Sequence, residues 1–317
     1  MKYLYKKIYK AINTGIQRAL TLDDEEDISI IYQHKKISNK NDYFNYLYAY
    51  EQYQKKYKEL LNNEDFQECL NLYNSEYLDQ KSRTIKYKVK SKKELIELSK
   101  YFNNEKFNKF DLNWLDVSEI TNMNKLFKDL QNFNCNISEW DVSNVTDMEM
   151  MLSGCIKFNS DLSQWNVSNV TNMAFMFNNC YKFNSDLSQW NVSKVTNMTF
   201  MFNNCYKFNS DLSQWDVSNV INMAFMFSDC YKFNQDLSQW KVFKVENMKE
   251  MFDSCENFNS DLSQWDVSNV TVMSWMFYQC TNFNSDLSQW NVSKVTNKMQ
   301  MFTGCHIKEE YKPKFNN

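Results

Sequence analysis

Residues 158–182 read FNSDLSQWNVSNVTNMAFMFNNCYK, and the same string, lightly edited, recurs down the chain. Trp140, Trp165, Trp190, Trp215, Trp240, Trp265 and Trp290 stand 25 residues apart every time. Trp114 precedes Trp140 by 26, because Leu115 is an extra residue. Methionines from Met151 to Met301, phenylalanines from Phe133 to Phe283 and cysteines from Cys155 to Cys305 keep the same period. A unit of 25 residues is too short to bury its own apolar side chains. Each unit must therefore lie against its neighbours, which predicts a solenoid.

The unit itself divides in two. Leu162, Trp165, Val167 and Val170 follow the spacing of a leucine-rich-type repeat. In an extended segment Trp165 and Val167 point one way and Asn166 the other, so a short strand is expected near 164–168. Met173, Met176, Phe177 and Cys180 fall at i, i+3, i+4 and i+7, so a two-turn helix is expected near 172–179, opened by Thr171 as its N-cap. The column before each cysteine holds Gly154, Asn179, Asn204, Asp229, Ser254, Gln279 and Gly304. Glycine and asparagine tolerate a left-handed backbone best, so this column should close the helix. Asn134, Asn159, Asn184, Asn209, Asn234, Asn259 and Asn284 recur without exception and should hydrogen-bond backbone along the stack. The expected class is α/β: short parallel strands and short helices. Eight units at the spacing of a parallel ladder would make a rod roughly 35–40 Å long.

The pattern F-N-x-D-L-S-x-W-D/N-V-S-N-V-T-N-M-x-x-M-F closely resembles the BspA-like leucine-rich repeats, known from bacterial surface proteins and from proteins of large DNA viruses. The resemblance covers residues 110–306. It implies a right-handed leucine-rich-repeat-like solenoid, a role in adhesion or protein–protein contact, and no enzymatic activity.

Composition narrows the remaining classes. Three glycines and one proline in 317 residues exclude collagen-like and linker sequences. A hydrophobic fraction of 43% allows a large core. A net charge of -3 gives no general nucleic-acid surface, so no nucleic-acid partner is expected. Residues 1–83 lack the repeat and read as a helical region. Residues 84–109 read as a strand (84–90) followed by a helix whose capping box is Ser91-Lys92-Lys93-Glu94, together an N-terminal cap for the stack. Residues 110–306 hold about eight repeats, and 307–317 form a charged tail. The basic stripe of residues 2–18 reads as docking on its own domain in preference to a membrane surface. Lysines interrupt any leader-like stretch, and no early cysteine offers a lipid anchor, so an intracellular setting is expected, with host cytoplasm or virion if the source is viral.

No nucleophile–base pair, phosphate loop or metal cluster emerges, so neither enzymatic activity nor a cofactor is expected. The cysteine ladder reads as small buried hydrophobes, because intracellular thiols stay reduced and no C-x-x-C pair suggests zinc. The aspartate column from Asp161 to Asp286 lacks the dense glycines of a calcium-binding repeat and reads as turn chemistry. The sequons that the repeat generates, such as Asn169-Val170-Thr171, carry no glycan expectation without a secretion signal. The outward strand face is the candidate protein-binding surface: Asp141, Asn166, Asn191, Asp216, Lys241, Asp266 and Asn291, with Phe243 and Lys244 beside Lys241. One coil breaks the rule there, and an outward aromatic between lysines is a candidate anchor. The expected function is a non-enzymatic scaffold that binds another protein or itself. The alternative is a self-assembling structural component, such as part of a virus particle.

Overall fold

The computed structural model describes residues 87–89, 91–93, 95–96, 112–113 and 115–315. The chain divides into two compact units, Met1–Lys88 and Val89–Asn317. Of the first, the described part is the two-residue strand Tyr87–Lys88, inside the expected strand 84–90. The expected helical region 1–83 lies outside the described residues. In the second unit, residues 92–93 and 95–96 are helical, and Leu95 N–H donates to the Ser91 carbonyl at 3.2 Å. That helix opens where the capping box puts it. Its continuation also lies outside the described residues.

From Leu115 onward the chain is a stack of turns. Parallel bridges link Asn122 to Asp147, Asp147 to Asn172, and so on in steps of 25 to Asn297. Alternate amides of each coil reach forward to the next. Met173, Phe175, Phe177 and Asn179 donate to the carbonyls of Asn197, Thr199, Met201 and Asn203 at 3.1, 2.8, 2.9 and 2.9 Å. The amides between them bond within their own coil: Ala174 to Asn172 Oδ1, Met176 to the Met173 carbonyl, and Asn178 to the Phe175 carbonyl.

This division explains why 172–179 is not the expected helix but a run of tight turns. A helix sends every amide four residues back along its own chain. Here every second amide is taken by the neighbouring coil. Two residues per coil also stand at positive φ, in the columns of Phe175 (58°) and Asn179 (60°), which a right-handed helix forbids. The i, i+3, i+4, i+7 stripe is nonetheless buried: Met173, Met176, Phe177 and Cys180 have no exposed surface. Consecutive turns satisfy that spacing as well as a helix would.

The strand expected at 164–168 is absent for a related reason. Trp165 N–H bonds to the Leu162 carbonyl, Ser168 N–H to Asn166 Oδ1, and Val170 N–H to the Val167 carbonyl. These amides are spent on local turns, so the coil-to-coil link passes through side chains. Trp190 Nε1 donates to the Leu162 carbonyl at 2.9 Å, and Trp215, Trp240, Trp265 and Trp290 of the same column repeat the bond. Asn184 N–H takes Asn159 Oδ1 at 2.8 Å, and Asn209 N–H takes Asn184 Oδ1 at 2.7 Å. The asparagine ladder therefore forms as expected, with the side chain bonding the next coil's backbone.

The core is a set of stacked rows. Trp165, Trp190 and Trp215 lie 6.4 and 6.5 Å apart with rings within 2° of parallel. Phe177 stacks on Phe183 at 4.0 Å, and both rows continue coil to coil at close to 6 Å. At the far end the tail folds back. Lys308 N–H takes Asn284 Oδ1 and extends the asparagine ladder, Leu287 N–H bonds the Tyr311 carbonyl, and Ile307 and Pro313 are buried. The short 3-10 turn Glu309–Tyr311 lies within this segment.

Candidate interaction surface

All nine candidate residues are exposed: Asp141, Asn166, Asn191, Asp216, Lys241, Phe243, Lys244, Asp266 and Asn291. Their neighbours Trp165 and Val167 are 3% and 1% exposed. The inward and outward assignment of these columns is as expected, although the backbone between them is turned.

The identity of the outward column has a local cause. Asp141, Asn166, Asn191, Asp216, Asp266 and Asn291 each accept, through Oδ1, the amide of the serine two residues on, at 3.0–3.2 Å. Short acceptors at this position close a turn over their own backbone. Ser218, through hydroxyl and amide, holds the Asp216 carboxyl below its usual range, with Lys241 adding to the effect. Lys241 has no acceptor to offer, and Phe243 replaces the serine, so this coil forgoes the turn bond.

Lys244 is less exceptional. Its ammonium donates to Asn219 Oδ1 at 2.7 Å, as Lys194 does to Asn169 and Lys294 to Asn269. It also stands 6.0 Å from the Phe243 ring centroid. The departures concentrated here are Lys241, Phe243 and Glu246, with Ile221 on the preceding coil. Phe243 is 38% and Ile221 45% exposed, where the other coils carry serine and, Glu246 apart, threonine. Ile221 was not among the expected contact residues; its column, threonine in most coils, was the signal.

A second surface row escaped the sequence reading. Phe175, Phe200 and Phe225 are half-buried and stacked at 4.6 and 4.1 Å. In the next coil Glu250 takes this position, and the Lys249 ammonium beside it lies 4.9 Å from the Phe225 ring and 5.4 Å from that of Trp275. All of these aromatics stand at positive φ. A left-handed backbone costs a non-glycine residue about 1–2 kcal/mol, and a stacked aromatic pair returns about 0.5–1.5. The near-balance explains how bulky side chains hold a column that turn geometry would give to glycine.

The cysteine ladder is part of the core. Cys135 through Cys280 are buried thiols, and Cys305 is a half-buried one. Cys155, Cys180 and Cys205 donate to the carbonyls of Phe127, Leu152 and Phe177 at 3.1 Å. Burial pushes their thiols well above the ordinary range, which leaves little thiolate for chemistry. In the aspartate column, Asp161, Asp186 and Asp211 each accept the amide of the serine two residues on at 2.9 Å, as turn chemistry requires. No helix among the described residues is long and apolar enough to cross a membrane.

The family described as "Mycoplasma protein of unknown function, DUF285" matches residues 96–214 and again 201–314, together more than two thirds of the chain. The chain belongs to this family. The two DUF285 matches overlap within the repeats and cover the stacked coils from end to end. No curated protein and no solved structure matches the chain.

Proposed function

We propose that this DUF285 protein is a non-enzymatic protein-binding scaffold that recognises its partner around Phe243. We infer further that residues 110–306 wind as a right-handed solenoid of the BspA-like leucine-rich type. Backbone bonding between coils that repeats every 25 residues, with parallel bridges at each step, supports the winding. The observation that carries the functional reading is the exposure of Phe243 and Ile221 on neighbouring coils. Folding does not ask for them, since the same columns work with serine and threonine elsewhere. Exposed aromatic and aliphatic side chains are the common anchors of interfaces, and the lysines at 241 and 244 would favour an acidic rim on the partner.

Reverting both positions to the repeat tests this. Phe243→Ser with Ile221→Thr should leave the thermal midpoint unchanged or higher. It should also weaken capture of any specific partner at least about 30-fold, the loss typical of removing an interface anchor. Proteins retained equally by the wild-type and the reverted chain would sink the reading.

A further inference from the structure

The closing stretch of a central coil alternates strictly. Lys182, Asn184 and Asp186 are exposed, while Phe183 and Ser185 are buried. The alternation repeats at 207–211, and at 232–236 with Gln235 half-buried. Because the coils are in register, like lies on like. Lysines 182, 207 and 232 form one row, asparagines 184, 209 and 234 a second, and aspartates 186, 211 and 236 a third. Four extended residues separate the two charged rows by roughly 13 Å along the chain. The tyrosines beside the lysines, Tyr181, Tyr206 and Tyr231, stack at 4.8 and 5.2 Å, which gives the spacing between coils.

Each row repels itself, since neighbouring charges about 5 Å apart fall well inside the screening length of physiological salt. Among the described residues none of the ion pairs Lys128–Asp129, Lys249–Glu250 and Lys312–Glu309 takes a lysine of this row. The aspartates are held in place, one oxygen of each bound to the amide of Ser188, Ser213 or Ser238 at 2.8–2.9 Å. A shallow depression lined by Asn184, Asp186, Ser188, Ser210 and Asp211 opens between two of the coils. It offers an incoming ammonium two carboxylates and two hydroxyls.

A positive row, a neutral row and a negative row make a self-complementary pattern. A two-fold axis laid along the asparagines brings the lysines of one copy over the aspartates of the other, twice. An axis laid across the rows would set lysine on lysine. We propose that this face is an isologous contact between two copies of the chain, with their stacks running parallel. Lys182, Lys207 and Lys232 meet the second copy's Asp186, Asp211 and Asp236. The surface is distinct from that of Phe243 and independent of the reading placed there. It is small beside the roughly 800 Å² per partner of a standard complex, so the dimer is weak and held by charge.

Sedimentation of the full chain over a concentration series tests this at about 20 mM and about 500 mM salt, where screening differs several-fold. Mass should climb toward two chains at low salt and return to one at high salt. Lys182→Glu with Lys207→Glu and Lys232→Glu should stay monomeric. So should Asp186→Asn with Asp211→Asn and Asp236→Asn, which keeps the turn bond, as Asn136 does to Ser138 at 3.2 Å. A wild-type mass that never rises, a lysine variant or an aspartate variant that still dimerises, or growth beyond two chains would each overturn the proposal.

Discussion

Trp165 and Asn166 are adjacent and have opposite tasks. The tryptophan column fills the core and also ties coils together through its indole N–H. Trp215→Ala therefore removes a ring 3% exposed and leaves the Leu187 carbonyl with only the Trp190 amide of its two donors. It should cost about 3–5 kcal/mol in denaturant unfolding. Asn166→Ala loses one turn bond to an exposed amide and should cost about 0.5–1.5 kcal/mol. Equal losses would refute the inward and outward assignment. Asp253 makes a separate prediction at this scale. Burial, with Asp229 and Glu250 nearby, lifts its carboxyl from 3.8 to about 6. The folded chain thus holds this proton more tightly than the unfolded chain does. The penalty of the charged form is complete above pH 6 and is relieved as pH falls toward 3.8. Asp253→Asn places there the residue that Asn178 and Asn203 supply in the same column. It should raise stability at pH 7.5 by about 1 kcal/mol after allowance for solvent screening, and the advantage should fade below pH 5. A constant difference between the two proteins across that range would show that the carboxyl is not the cause. The outward column was legible from alternation alone. Its preference for asparagine and aspartate was not, because a turn-closing acceptor and a recognition residue are the same side chain in a sequence.

The unit of this fold is the tight turn, and turns are what periodicity conceals. The stripe of Met173, Met176, Phe177 and Cys180 correctly marks which side chains go inside. It cannot say whether the intervening amides bond four residues back or reach into the next coil. The closing column was readable because two of its members are Gly154 and Gly304, at φ of 79° and 74°. The Phe175 column was not, because its residues contradict the preference for glycine that left-handed turns show. The two columns make opposite predictions. At Gly154 an added Cβ would lie 2.6 Å from Asp129 Oδ1 and 3.2 Å from Asp129 Cα, so Gly154→Ala should cost at least about 1–2 kcal/mol. Lys125 stands exposed at φ 58° with no aromatic stack to compensate. Lys125→Gly should therefore stabilise by about 1 kcal/mol. Thermal melts of the two variants should move in opposite directions. A shift of Lys125→Gly to lower temperature would mean that this column is not under strain.

In the whole molecule, each coil of the second unit meets its neighbours with the same set of bonds, so its stability should approach a sum over coils and the contacts between them. Eight bridge positions, from Asn122 to Asn297, define the length of that sum. Deleting residues 183–207 joins Lys182 to Phe208, a step the chain already makes from Lys182 to Phe183. Every row then closes on itself, with Trp165 stacking on Trp215. This shortened protein should fold with a sharp transition, a lower midpoint, and a denaturant slope reduced by about an eighth, since that slope follows the surface exposed on unfolding. Deleting residues 183–208 differs by one residue. It removes Phe208 and leaves a coil of 24, so the asparagine, tryptophan and phenylalanine rows can no longer all meet in register. That variant should lose far more than one coil's share or fail to fold. If the two deletions melted alike, the 25-residue bonding register would not be what holds the stack together. A well-folded 183–207 deletion beside a damaged 183–208 deletion would put the specificity of the fold in the register between coils, the one property that every row of side chains shares.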